Sequence, residues 1–230
     1  MFSTFPILYE DESIVAINKP SGIMVHPTKI TEDKQFIVPL LSAQIKEEVF
    51  AIHRIDRGTS GILLLGKNKT VVRELSNQFM ERKVDKMYLA ITRGFAPESE
   101  EVDYPIAREP HLPKRKAITH IKTIHTQELP FAIGPYQQSR YSVVKAFPET
   151  GRRHQIRRHL SHLHYPVIGD RKHGDNKHNK YWQENIDIHR MLLHARELAF
   201  MHPVSKELMR LKAPFDDTFQ KAFELLGFKG

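Results

Sequence analysis

The sequence has no cysteine among its 230 residues. That excludes disulfide frameworks, Cys-ligated zinc, iron–sulfur clusters and thiol catalysis together. Long apolar runs are missing too: Ile14–Ile17 and Ile62–Leu65 are four residues each, against the roughly 20 that a bilayer-spanning helix needs. The opening stretch MFSTFPILYEDES lacks a basic region ahead of an apolar one and soon turns acidic, so no signal peptide is expected and the protein is read as cytoplasmic. No tandem repeat, low-complexity tract or Gly/Ser linker divides the chain, and a single domain over residues 1–230 is expected. A chain this long buries roughly 70% of its unfolded surface and needs no covalent staples.

What is plentiful is positive charge. Thirty-five Lys and Arg face 27 Asp and Glu, a net +8 with pI near 9.6. Such a balance favours a polyanionic partner, because neutralising phosphates releases condensed counterions. The charge is also clustered, with Arg152, Arg153, His154, Arg157, Arg158, His159, His162 and His164 close together in sequence. With 40% hydrophobic and 9% aromatic residues the remainder is ordinary globular composition.

Patterning supplies the elements. Ile7–Tyr9 and Ile14–Ile17 read as a hairpin, and Val38, Leu41 and Ile45 as a helical stripe. The strand ILLL at 62–65 precedes a second stripe, Val72, Leu75 and Phe79, which Asn68 or Thr70 can cap. From Val84 to Thr92 residues alternate, with Met87, Leu89 and Ile91 on one face and Lys86, Tyr88 and Ala90 on the other. Residues 96–116, rich in proline and carrying Lys114, Arg115 and Lys116, read as a surface excursion. Strands are expected at 117–125 and 139–147, then a helix marked by Ile156, Leu160 and Leu163 and ended by Pro166. A hairpin over 198–211 and a terminal helix marked by Phe219, Phe223 and Leu226, with Gly227 as C-cap, complete the chain. This order has no regular βαβ alternation, so the fold class is α+β.

Two segments concentrate chemistry. In His53-Arg54-Ile55-Asp56-Arg57-Gly58-Thr59-Ser60-Gly61 a carboxylate lies between two arginines, and nearby positive charge favours its ionised form, suiting a nucleophile or base. The same residues also suit a plain surface turn. A kinase loop is excluded because Ile55 separates Arg54 from Asp56 and no DFG or glycine-rich loop occurs. In GRRHQIRRHL, residues 151–160, Arg157 neighbours an apolar position and can reach an interior carboxylate with a fork that lysine does not reproduce. Tyr88 can line a cavity and stack on a base, or be a half-buried strand tyrosine. The pairs His159/His162 and His173/His178 lack a well-spaced carboxylate within a stretch whose arginines repel cations, so no metal site is expected.

Together and in this order, the segments resemble the RluA family of pseudouridine synthases. Lys19-Pro20-Ser21-Gly22, HRIDRGTSG, Lys86-x-Tyr88, GRRHQIRRHL, Gly169-Asp170, Leu193-His194-Ala195 and Phe200-x-His202-Pro203 follow the family pattern. The resemblance implies a central mixed, largely antiparallel sheet flanked by helices, with the active-site cleft between two subdomains and no separate N-terminal RNA-binding domain. It implies Asp56, Tyr88 and Arg157 as catalytic residues, with Arg157 paired to Asp56. Lys19, Arg54, Arg57, Arg152, Arg153, His154, Gln155, Lys114, Arg115 and Lys116 are expected to bind RNA. The implied reaction is isomerisation of a uridine to pseudouridine by a monomer without cofactor or metal. Arg157-Arg158, Lys172-His173-Gly174 and Thr119-His120 resemble the branch acting on uridine 65 of the tRNA acceptor stem, with a ribosomal RNA uridine as the alternative substrate and a non-catalytic RNA-binding or tRNA-folding protein as the second alternative.

Overall fold

The computed structural model describes residues 4–26 and 35–229; the first residues of the stretch read above for a signal peptide lie outside them. In chain order the elements are β1 (Ile7–Glu10), β2 (Ile14–Lys19), α1 (Ile37–Ile45), β3 (Phe50–Ala51), β4 (Ser60–Gly66), α2 (Lys69–Met80), β5 (Asp85–Arg93), β6 (Ser99–Asp103), β7 (Ile106–Ala107), β8 (Lys114–Arg115), β9 (Ile118–Leu129), β10 (Ser139–Pro148), α3 (Gln155–His162), α4 (Asn176–Asn185), β11 (Leu193–Met201), β12 (Leu208–Lys212) and α5 (Asp217–Leu226). They fall into two compact units, Met1–Lys86 with Ala195–Pro214 and Met87–His194 with Phe215–Gly230. Among the described residues no helix is long and apolar enough to cross a membrane.

In the first unit β1, β2 and β4 pair antiparallel, and β3 adds to β4. Asp11 closes the first hairpin by accepting the N–H groups of Ser13 at 2.7 Å and Ile14 at 2.8 Å, the side-chain turn that aspartate favours. Strand β4 is buried along its whole length, which is why it reads as an apolar run rather than an alternation. One of its faces, Leu63 and Leu65, packs with Ile37 and Leu41 of α1. The other, Ile62 and Leu64, packs with Val71 and Leu75 of α2 and with Leu198, Phe200 and Leu211. Helix α2 starts at the expected cap, Asn68, which accepts the Val71 N–H at 2.9 Å. Its deeply buried face is Val71, Leu75 and Gln78, turned by about one residue from the apolar stripe. Gln78 is tolerated there because its amide both donates to and accepts from the Met201 backbone, at 2.9 and 3.0 Å, as a neighbouring strand would.

In the second unit β5, β10, β9 and β6 form consecutive antiparallel pairs. Residues 96–116 differ from the expected excursion: β6 pairs with the start of β9, and β7 and β8 form a short ladder. Val102, Ile106 and Ala107 are buried while Glu100, Glu101 and Asp103 face solvent. Charge on an exposed edge strand hides its periodicity but discourages pairing with other chains. Helix α3 ends at Leu163, with His164 in the left-handed region at φ 66° and Pro166, which cannot continue a helix, just beyond.

Helix α4 has no counterpart in the apolar pattern, since Trp182 is its one buried residue. It is started by Asp175, which accepts the N–H groups of Lys177 and His178. Trp182 joins Tyr141, Phe219 and Phe223 in the main core of this unit, and α5 ends at Gly227 as expected, at φ 64°.

Candidate active site

The aspartate of HRIDRGTSG sits on a turn closed by the Thr59 N–H donating to the Asp56 carbonyl at 3.0 Å. Loop 19–22 grips that turn. Gly22 N–H donates to the Arg57 carbonyl at 2.8 Å, and Ser21 Oγ to the Gly58 carbonyl at 2.7 Å. Arg57 Nε returns a bond to the Gly22 carbonyl at 2.9 Å. Lys19 Nζ donates to the carbonyls of Pro20, Ile23 and Arg57 at 2.8, 2.9 and 3.3 Å. Ile55 and Thr59 are buried, whereas Asp56 is half-buried and Arg54 exposed, so the turn is anchored on both sides of the aspartate. Gly61, at φ +105°, ends the segment where a Cβ would lie 2.2 Å from the Ala195 carbonyl oxygen, which only glycine permits.

Lys19 therefore departs from its expected place among the RNA-binding residues. It is wholly buried, and a buried ammonium is tolerated only where hydrogen bonds replace its water. Its ammonium is directed at backbone carbonyls of its own loop and, through Arg57, of the Asp56 turn.

Beside this turn stands a histidine whose role the sequence did not reveal. His53 Nε2 accepts the Leu64 N–H at 3.1 Å, which puts the ring proton on Nδ1 and leaves the imidazole neutral. Its ring stacks on Phe79 at 4.7 Å and 19°. Part of the residue reaches the surface, but the ring lies deep, and burial, then the charge of Lys86, pull its pKa down to about 3. Burial, followed by the neighbouring Arg82, likewise lowers Lys86 to about 8 against the opposing charge of Asp85.

In the second unit Tyr88 is half-buried, opposite Ala146 on β10, and packs against a cluster containing Ala90, Ile156 and Leu160. Arg157 does reach an interior carboxylate, and within this unit it is Asp170. Arg157 Nε donates to Oδ2 and Nη2 to Oδ1, each at 2.7 Å, with both residues buried. Burial alone would push the Asp170 carboxyl up, but the Arg157 bonds and charge, with the N–H groups of His173 and Lys172, hold it below the usual carboxylate range.

The remaining expected RNA-binding residues divide sharply. Gln155 is buried: its oxygen accepts from Thr150 Oγ1 at 2.7 Å and Arg152 N at 2.9 Å, while its nitrogen donates to the Ile118 carbonyl at 2.8 Å and Thr119 Oγ1 at 2.9 Å. Such a saturated amide is a framework group, a second departure from expectation. Arg153 pairs with Glu109 at 2.7 Å, and Arg152 Nε donates to the Lys116 carbonyl at 3.1 Å. Arg158 donates to the Ala107 carbonyl at 2.7 Å and His159 Nε2 bonds the Tyr104 carbonyl at 3.0 Å. These side chains fasten segment 104–116 to α3, leaving Lys114, Arg115 and Lys116 exposed. His154 Nδ1 meets His173 Nε2 at 2.9 Å. Among the described residues no group of three or more His, Asp or Glu is arranged to hold a metal ion.

Two outcomes follow from the first unit. Lys19→Met should cost roughly 2–4 kcal/mol, because carbonyls lose their donor inside the protein. Urea unfolding would measure this loss, and the salt dependence of RNA binding by the folded fraction should stay at the wild-type slope. The second concerns acid. His53 is neutral when folded and titrates near 6.5 when unfolded, so below that pH the unfolded chain binds more protons. This histidine's contribution to stability is therefore lost as pH falls from about 6.5 towards 3. Urea midpoints taken between pH 7.5 and 4.5 should fall, and His53→Gln should flatten the decline.

Comparison with known proteins places these features in one family. The model of a family described as RNA pseudouridylate synthase matches residues 13–162. A Vibrio parahaemolyticus protein named tRNA pseudouridine synthase C is 40% identical over 228 residues, spanning 94% of this chain and 93% of that protein. A Pectobacterium carotovorum protein of the same name is 39% identical over 97% of this chain, which spans 62% of its length. The solved structure of human RNA pseudouridylate synthase domain containing 4 shares the fold, with TM-score 0.76 and 24% identity over 98% of this chain and 94% of that one. The matched stretch takes in the clamp of Lys19, the Asp56 turn, Tyr88 and Arg157 alike, and the chain belongs to the RNA pseudouridylate synthase family.

Proposed function

We propose that this isomerase converts uridine 65 in the acceptor stem of tRNA to pseudouridine, as a cytoplasmic monomer that uses no cofactor or metal. The tRNA assignment is supported by the names of the relatives that align along nearly the whole chain. The sequence features at Thr119-His120, Arg157-Arg158 and Lys172-His173-Gly174 support the finer one.

The observation that carries the chemistry is the clamped turn with its half-buried aspartate. A base inside an RNA stem is stacked and paired, so it must leave the helix before a side chain can reach it. Arg54, exposed two residues from Asp56, fills the vacated space. Asp56 acts at the sugar or the ring as the N1–C1′ bond breaks. The uracil turns, C5 joins C1′, the C5 proton leaves with help from the carboxylate, and N1 gains a proton. Tyr88 packs on the uracil, and Arg157 orients the aspartate. Lys114, Arg115 and Lys116 meet phosphates on a segment that Arg152 and Arg153 hold in place.

Tritium release from tRNA transcripts labelled at uracil C5 tests the reaction. Wild type should release label and Asp56→Ala should release none while binding the transcript with near-normal affinity; turnover by the variant would remove Asp56 from the chemistry. Mapping the product decides the position, and release from ribosomal RNA fragments instead of tRNA would move the substrate. Replacing Lys114, Arg115 and Lys116 with alanine should weaken binding and make the logarithmic salt slope less steep by about 2–3, close to one per lost phosphate contact. An unchanged slope would mean that this segment lies away from the RNA.

A further inference from the structure

We propose that Asp170 is a positioning residue that sets the plane of the Arg157 guanidinium, and that Asn179 of α4 sets Asp170 in turn. The inference rests on the part given to Arg157 above, and every contact it uses lies within the second unit.

A salt bridge through one nitrogen fixes a distance, whereas a bidentate one also fixes the plane of the fork. Arg157 has the second kind, through Nε and Nη2. The carboxylate it grips cannot rotate freely either. Asp170 Oδ1 accepts the backbone N–H groups of Lys172 at 2.9 Å and His173 at 3.1 Å as well as Arg157.

The backbone beneath is tied at both ends of one amide side chain. Asn179 Oδ1 accepts the Gly169 N–H at 2.7 Å, and its Nδ2 donates to the Asp170 carbonyl at 2.9 Å. There is no slack around it. A Cβ on Gly169, at φ +77°, would sit 2.1 Å from the Arg190 carbonyl oxygen, and one on Gly174 would sit 2.1 Å from the Asp170 carbonyl oxygen. Successive directional contacts thus run from α4 through residues 169–170 to the guanidinium on α3.

Stability alone does not call for this arrangement. A buried ion pair is commonly no better than a well-packed apolar pair of similar volume, and α3 already seats Ile156 and Leu160 in the core. What the arrangement adds is orientation of one charged group, and orientation errors near an ångström can cost about 100-fold in rate.

The test compares Asp170→Asn, Asn179→Ala, Arg157→Lys and the doubles with Arg157→Lys, in single-turnover conversion of tRNA transcript by the full chain, corrected for folded fraction. Asp170→Asn should slow conversion about 30-fold or more per folded molecule, and Asn179→Ala about threefold or more, with RNA affinity nearly unchanged. In the Arg157→Lys background either change should add less than about twofold, because the fork it oriented is gone. A purely structural role would instead lower the unfolding midpoint, leave the rate per folded molecule intact and multiply with Arg157→Lys. If Asp170→Asn does not fold, Asn179→Ala and its double decide alone. Loss of rate in Arg157→Lys with normal rates in the folded Asp170 and Asn179 variants overturns this inference only; a normal rate in Arg157→Lys removes the role of Arg157 and this inference with it.

Discussion

A buried ammonium surrounded by carbonyl oxygens is the constraint on which the Asp56 turn of the first unit depends. A turn rich in Asp, Gly and Thr would otherwise be a mobile surface feature, because its backbone carbonyls would be satisfied equally well by water. Lys19 removes that freedom by offering donors from inside the protein to carbonyls on two strands of chain, its own loop and the Asp56 turn. Without the ammonium the Pro20 and Ile23 carbonyls lose a donor inside the protein, while the Arg57 carbonyl keeps the Gly22 N–H. Ser21 and Gly22 add further bonds to the same turn, so the backbone that carries Asp56 is held by a second loop as well as by its own turn bond.

The second unit solves a related problem with opposite polarity. There the mobile group is a long side chain rather than a loop, and the restraint is a carboxylate aimed at its fork. Arginine carries about 2 kcal/mol of rotamer entropy, and a place in the first turn of α3 does little to limit it. Asp170 limits it, with its own freedom removed by backbone N–H groups. Buried polar networks of this kind specify geometry more than they add stability.

Much of this architecture was legible from residue patterning. The first hairpin, α1, β4, α2 with its Asn68 cap, β5, β9, β10 and α5 with Gly227 were each announced by apolar periodicity or by a capping residue. The misreadings share a cause, which is that side-chain polarity says nothing about where a partner lies. Gln155, His159 and Lys19 look like surface residues and are buried because each finds donors or acceptors there. Helix α4 is invisible in the apolar pattern because Trp182 is its one buried residue, and one residue has no period. Strand β6 was hidden by acidic residues on its solvent side. Asp56, Tyr88 and Arg157 were singled out by the family pattern, while Asp170 appeared in that pattern without a role. The contact that gives it one spans thirteen residues, and no local signal encodes it.

The same reasoning changes how the net charge of +8 is to be understood. Read as composition, every arginine in the 152–158 cluster counts towards attraction of RNA. In the folded chain Arg157 is held by Asp170, Arg153 by Glu109, and Arg152 and Arg158 by backbone carbonyls of segment 104–116. A guanidinium committed in this way still contributes to the long-range field, but its short-range donors are partly occupied before RNA arrives. The tripeptide Lys114-Arg115-Lys116 is different, since it is exposed on a segment that the committed arginines hold still. Basic residues in this protein thus do two kinds of work. Those at 152–158 fix the shape of the surface, and those on the segment they fasten present charge from a backbone already held in place.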